Sequence, residues 1–481
     1  MVAALLVLFL FPAAVLAHPL LNLNLEDWIV YENLEASEGA RFRSVTIRPY
    51  SYRKAFLLTD FPERVSLYMN ALSQPGYFLK PLNSLTFNAY YTTEEVFALE
   101  NSGGAVLRRG PGLRTLADGF LSLGSRAVLY YQFLYRKDRE EDKLSLHRGY
   151  LKLRLWKLSL EAGKDTVHLG PGEFALLLSS HAEPFPLLKI ETDRPLNFAG
   201  NWDFVLVRGW LKEQRRDRSD PSLLALRVVW KPVNLVEIGA TRTALYGGEG
   251  RPGFRLTEYP KFILGSEENV PSSKFDADGY GAVDLTLYLP LHRLIEGVRS
   301  FKIYYQEAGT DIKAWWQKED RGEFYFPFGF RFLFTSYVAG FLLSTKKHIL
   351  RGEFTKVSDK WYVHHHYSYE GYTYRGLSLG HPYGSNLLHI LLSHRYYLSE
   401  KASLSYRIGA YKQPAYRAEE SIRRFYLTLS GEKRLRILIV SAFLRADFSQ
   451  NRDTDPYPNR FNVVPGRRTF LTLGLSLSWR L

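Results

Sequence analysis

Two groups of side chains in this 481-residue chain are of types that could do chemistry. The first is the run His364-His365-His366. Imidazole nitrogens ligate transition metals, but three consecutive residues on a strand point to alternate faces, so at most two converge. Asp359 and Glu370 are the nearby carboxylates, and either would have to fold in to complete a shell. No metal and no cofactor is expected. The second group is Tyr372, Tyr374, Arg375, His381 and Tyr383, with Trp361, Tyr362, Tyr367 and Tyr369 in the same segment. Sugar binding wants aromatic rings under apolar sugar faces and hydrogen-bonding groups along the hydroxyls. Tyrosine supplies a ring and a hydroxyl together. Arginine offers a two-pronged donor for the carboxylate of an acidic sugar. The same tyrosines would equally suit a belt of aromatics at a membrane interface. No arrangement of serine, histidine and acid stands out, and no strand-to-helix nucleophile elbow is evident, so the chain is not expected to be an enzyme.

The elements that must hold these residues are strands. In residues 149–163, Leu151, Leu153 and Leu155 alternate with Tyr150, Lys152 and Arg154; after a turn at Trp156-Lys157, Leu158, Leu160 and Ala162 alternate with Ser159 and Glu161. That is a hairpin with one greasy face and one charged face. The period recurs at Leu224, Leu226, Val228 and Trp230, and at Val283, Leu285, Leu287 and Leu289. At the end of the chain, Leu471, Leu473, Leu475, Leu477, Trp479 and Leu481 alternate with small and polar residues. Short turns near Trp156-Lys157, 232–234 and 432–434 alternate with long polar segments at 246–281, 359–385 and 447–468. An outer-membrane β-barrel has this pattern: greasy face to lipid, polar face to the lumen, short turns in the periplasm and long loops outside.

Export fits that fold. Residues 2–17 are an apolar run ending in Val15-Leu16-Ala17, which reads as a signal peptide cut after Ala17. The run is too short to span a membrane as a helix, which needs roughly 20 residues. Cysteine is absent, aromatic residues make up 15%, and the formal charge is +14. The basic excess is spread along the chain and suits lipopolysaccharide phosphates or an acidic polysaccharide; export disfavours nucleic acid. Residues 18–80 read differently. Val65, Tyr68, Met69 and Leu72 fall on one helical face, Asp60 and Glu63 bracket a helix start, and residues 28–34 allow a second short helix. This predicts a small periplasmic helical region at 18–80, followed by a barrel over 81–481. At roughly 20–24 residues per strand with its connection, about 16–20 strands fit.

Two local motifs have alternative readings. Gly170-Pro171-Gly172 is a turn signal, either joining strands or marking a loop folded into the lumen. Lys164 and Asp165 form either a strand-end ion pair of little energetic weight or a lumenal pair that closes the pore.

Three stretches in order resemble the capsule assembly protein Wzi family. The first is Asp27-Trp28-Ile29-Val30-Tyr31-Glu32-Asn33-Leu34 with Ile47-Arg48-Pro49-Tyr50-Ser51-Tyr52. The second is Gly163-Lys164-Asp165, Gly170-Pro171-Gly172 and Leu176-Leu177-Leu178-Ser179-Ser180, followed by Ala182-Glu183-Pro184-Phe185-Pro186. The third is Tyr372-Thr373-Tyr374-Arg375-Gly376 with Leu379-Gly380-His381-Pro382-Tyr383-Gly384. Where the family often has Trp before the Gly-Pro-Gly, this chain has Leu169. The resemblance implies an antiparallel outer-membrane β-barrel of about 18 strands with a periplasmic helical element. It also implies a lumen closed to free diffusion, with Lys164, Asp165, Gly170, Pro171, Gly172 and Ser179 in the closing segment. By the same resemblance the protein is expected to be a surface lectin for capsular polysaccharide; as partners, outer-membrane lipid and lipopolysaccharide are expected as well, and the chain is expected to be a monomer. A porin-like channel for small solutes is the competing expectation.

Overall fold

A strand with leucine on one face and polar groups on the other needs apolar surroundings on one side only, and closing such strands into a ring satisfies every backbone group. The computed structural model describes residues 28–37, 40, 43–49, 77–124, 126–263, 273–314, 330–414, 421–453 and 461–480. The signal peptide expected at 1–17 and the helix expected around Val65 lie outside them. Eighteen antiparallel strands, from Tyr77–Ala98 to Val463–Arg480, form a closed barrel. The last strand pairs with the first, from Ser84↔Arg480 to Thr92↔Thr472, so no edge is left open.

The two faces divide as the alternation predicts. In Asp142–Leu155, Leu144, Leu146, Leu151 and Leu155 are exposed to the lipid side, while Tyr150 and Lys152 are buried in the interior. In the last strand Leu471, Leu473 and Leu475 face out, and Thr472 is fully buried. One end of the barrel carries short turns, such as Trp156-Lys157, Asn234-Leu235 and Lys346-Lys347. Trp202 and Trp230 stack there, 5.5 Å apart, each donating its indole N–H to a neighbouring backbone carbonyl. The other end carries long loops, including 166–184, 211–221 and 358–386.

Two expected connections are corrected. The turn expected at 432–434 falls later, because Ile422–Leu435 and Leu438–Asp453 pair as far as Leu435↔Leu438. The long segment expected at 447–468 is mostly strand, running to Asp453 and resuming at Val463. Its polar residues gave it the look of a loop, but Asp447 and Ser449 are buried on the inner face.

The interior is filled from both ends. Helix Trp28–Glu35 sits at the short-turn end, where Ala36 packs against Leu342, Ile349 and Tyr397. That end faces the periplasm in outer-membrane barrels. The chain then climbs inside the wall, and the Ser44 and Thr46 hydroxyls donate to Glu237 at 3.0 and 2.9 Å. Loop 166–184 comes inward from the opposite end. The two meet as a two-residue antiparallel pair, Ile47–Arg48 with His168–Leu169.

Candidate functional site

The filling is held by charges that point inward from the wall. Arg227 donates to both oxygens of Asp284, at 2.6 and 2.9 Å, and to Thr46 at 2.8 Å and Thr241 at 2.7 Å. Both Arg227 and Asp284 side chains are fully buried. Gly239 lies beside them, and a Cβ there would fall 2.4 Å from Asp284 Oδ1 and 2.5 Å from an Arg227 guanidinium nitrogen, so a side chain at this position would displace the pair. Nearer the outer end, Glu353 accepts the backbone N–H of Glu173 at 2.8 Å and of Phe174 at 3.3 Å, and the Tyr304 hydroxyl at 2.7 Å. Glu173 in turn pairs with Arg407 and lies 3.6 Å from Arg351. One wall carboxylate therefore caps the turn of the inward loop, and arginines neutralise the loop's own acid.

The predicted closing motif lies in this segment. Gly170 has φ of 136°, open to glycine, and its N–H donates to Thr46 O at 3.0 Å. Gly170-Pro171-Gly172 is thus a buried lumenal turn that joins no two wall strands directly. Ser179 donates to Gly380 O at 2.6 Å and ties this loop to 358–386. The expected Lys164–Asp165 pair takes another form. Neighbours on a strand face opposite ways, so Asp165 turns inward to Arg148 at 3.7 Å, while Lys164 reaches Leu146 O at 3.1 Å.

Above this lies an aromatic lid built from loop 358–386. The Tyr362 hydroxyl donates to Leu176 O and accepts the His381 N–H. Tyr280 stands 5.1 Å from Trp361 and 5.0 Å from Tyr372, ring centre to ring centre. Tyr374 meets Phe185 edge-on. Of the five residues expected to contact sugar, Tyr372, Tyr374 and His381 are buried, Tyr383 is half-buried with its hydroxyl on Glu100, and Arg375 is exposed. Burial, with His389 and His181 close by, pushes the His381 imidazole well below its ordinary range. It packs as a neutral ring against Phe174.

The accessible chemistry sits on the rim of the lid. Arg375 pairs with Glu183 at 2.6 Å, lies over Tyr374 at 5.4 Å, and donates its backbone N–H to Glu213 at 2.5 Å. Exposed Arg216 lies over half-buried Tyr369 at 4.7 Å. Beneath them buried Arg215 donates to Gly371 O at 2.5 Å and Asp217 at 3.0 Å, locking loop 211–221 to 358–386. Arg216 was not singled out in the sequence, although the run Arg215-Arg216-Asp217-Arg218 is a signal that could have found it.

Glu213 gives this rim a pH dependence. Burial raises its carboxyl to about 7, aided by the Glu370 charge and opposed by the Arg375 N–H and Arg215. An acid raised in the folded state contributes stability that is full below its unfolded value, about 4.3, and lost as pH rises through about 7. Amide exchange in 211–221 and 371–376, corrected for intrinsic rate, is therefore expected to speed up by as much as roughly a hundredfold from about pH 5 to about pH 8. Glu213→Gln should flatten that rise; an unchanged slope in the variant would assign it to another group.

Residues 90–442 match the sequence profile of the family described as capsule assembly protein Wzi. The chain belongs to that family. No match to a curated protein sequence reaches significance. In fold the Wzi-family barrel is similar to Wzi of Escherichia coli, an outer-membrane, carbohydrate-binding β-barrel involved in group 1 capsule assembly. The TM-score is 0.68 at 13% identity, covering 96% of this chain and 99% of that one. It is also similar to OprD of Pseudomonas aeruginosa, with TM-score 0.46 and 9% identity over 84% of this chain and 95% of that one. In this Wzi-family chain the described parts of the three resembling stretches lie largely off the wall: residues 28–34 and 47–49, the inward loop, and the lid.

Two further sequence features change meaning in the fold. The expectation that the chain lacks a Gly-x-Ser-x-Gly spacing is corrected: Gly376-Leu377-Ser378-Leu379-Gly380 has it, but Ser378 lies in the small hairpin Thr373–Tyr374 with Leu377–Ser378, and strand, not helix, follows. His365 and His366 form the turn between bridged His364 and Tyr367 and the three do not run as a strand, so the limit of two converging rings does not apply. All three reach the carboxylate of Asp276, a residue the sequence offered no reason to consider.

Proposed function

We propose that this barrel is an outer-membrane surface lectin that binds exported, capsular-type polysaccharide and helps assemble or anchor it at the cell surface. The observation that carries this reading is a lumen packed from both ends beneath an outer rim of stacked arginine and tyrosine. Such a molecule holds a polymer outside and does not conduct it through. The rim binds and does not catalyse: Arg216 and Arg375 are donors for sugar carboxylates, and Tyr369 offers part of a ring beside them. The buried rings of Tyr372, Tyr374 and His381 support the rim from below, while Tyr383 keeps part of its surface.

Purified Arg375→Ala and Arg216→Ala are each expected to bind acidic polysaccharide roughly tenfold or more weakly, the worth of one charge-assisted hydrogen bond. Cells carrying both should shed the polymer. Arg375→Lys should recover only part of the binding, because the ammonium lacks the fork. Unchanged retention in the double variant would place the sugar elsewhere.

Lipopolysaccharide is a proposed partner of the wall. On the lipid side near the long-loop end, a groove lined by Ile390, Phe425 and Phe448 is fringed by Lys412, Arg423, Arg467 and Arg468. Apolar rings below cations suit acyl chains below phosphates.

A further inference from the structure

We propose that Asp276, His365 and His366 form a binding site for one divalent transition-metal cation, and that the ion staples segment 273–277 to the lid loop 358–386. Asp276 is fully buried. Its Oδ2 lies 2.9 Å from His365 Nε2 and 2.8 Å from His366 Nε2. Its Oδ1 has no hydrogen-bond partner. The three donor atoms lie within 4.8 Å of one another. Around a tetrahedral zinc with bonds of about 2.0–2.1 Å, ligand atoms stand roughly 3.3–3.5 Å apart, so a small spreading of the rings admits the ion.

The donor set selects the metal. Two imidazoles and one carboxylate suit zinc and its neighbours, whereas calcium and magnesium prefer all-oxygen shells. His364 plays a different part. Its Nδ1 accepts the His366 N–H at 3.3 Å, which places its own proton on Nε2, 3.5 Å from Asp276 Oδ1. It stands beside the carboxylate without a hydrogen bond to it, outside the three-ligand set. Three protein ligands leave a fourth position, and His365, about half exposed, opens it to solvent. A water or a sugar oxygen can complete the shell there.

The test uses the untagged full chain in detergent, stripped with a chelator and titrated with Zn2+ alone by calorimetry. Co2+ serves as a second probe, because a tetrahedral site colours it. One ion per chain is expected. His365→Ala, whose ring is partly exposed and so should leave the barrel intact, is expected to weaken uptake roughly tenfold or more, as is Asp276→Asn. His394→Ala is the control. The His348–His394 pair at the short-turn end, 3.0 Å apart, is the competing place for an ion. Uptake unchanged in His365→Ala, uptake lost in His394→Ala, or no stoichiometric uptake by the intact chain would each overturn the site.

Discussion

Planar bilayers holding the intact barrel are expected to show no sustained conductance steps, and removing residues 170–179 is expected to produce large ones. A ring of eighteen strands is wide enough for an aqueous channel when nothing fills it. Here Leu169, Phe174, Leu176 and Leu178 are fully buried in its interior. The inward loop is fixed at three levels. Thr46 holds Gly170, Glu353 caps residues 173–174, and the lid takes Ser179. Breaking one level should leave the lumen closed, so single substitutions at Gly172, where an added Cβ would stand 3.0 Å from Glu353 Oε2, or at Ser179 are expected to conduct little. Excising the loop removes all three at once. Steady porin-sized steps from the intact chain would sink the closed-lumen reading and revive the channel.

The second large effect concerns stability. Arg227→Met is expected to cost about 3–5 kcal/mol, because it leaves Asp284 buried and uncompensated. The same change strips two donors from Thr46 and one from Thr241, so the climbing N-terminal segment loses its hold as well. Pairing it with Asp284→Leu should recover most of the loss, since a buried pair replaced by apolar groups of similar volume is often neutral or stabilising. Urea unfolding in lipid vesicles, followed by tryptophan emission, measures both. A single variant within about 0.5 kcal/mol of the parent would mean that water reaches the pair.

Sequence alone determined the wall. Alternation in residues 149–163 and at the end of the chain is a local property, because lipid selects every second side chain and a strand presents them with period two. Neighbouring strands joined by short turns then fix antiparallel order, and length bounds the strand number. A short helix was also allowed by the sequence over residues 28–34, and it runs Trp28–Glu35.

What fills the wall was decided only by tertiary structure. Arg227 meets Asp284 because the single strand between them, Val236–Tyr246, holds both neighbours in register, and the same arginine meets Thr46 because a segment 181 positions away climbs inside. Tyr372 and Tyr374 looked like girdle or sugar-contact rings, yet they pack beneath the rim. His365 and His366 find Asp276 across 89 and 90 positions. Loops carry no period, so nothing in their order of residues states which way they fold. The direction is set when the barrel closes: inward-facing charges must be met by water or by protein groups, and here the loops and the N-terminal segment that enter the ring supply the partners.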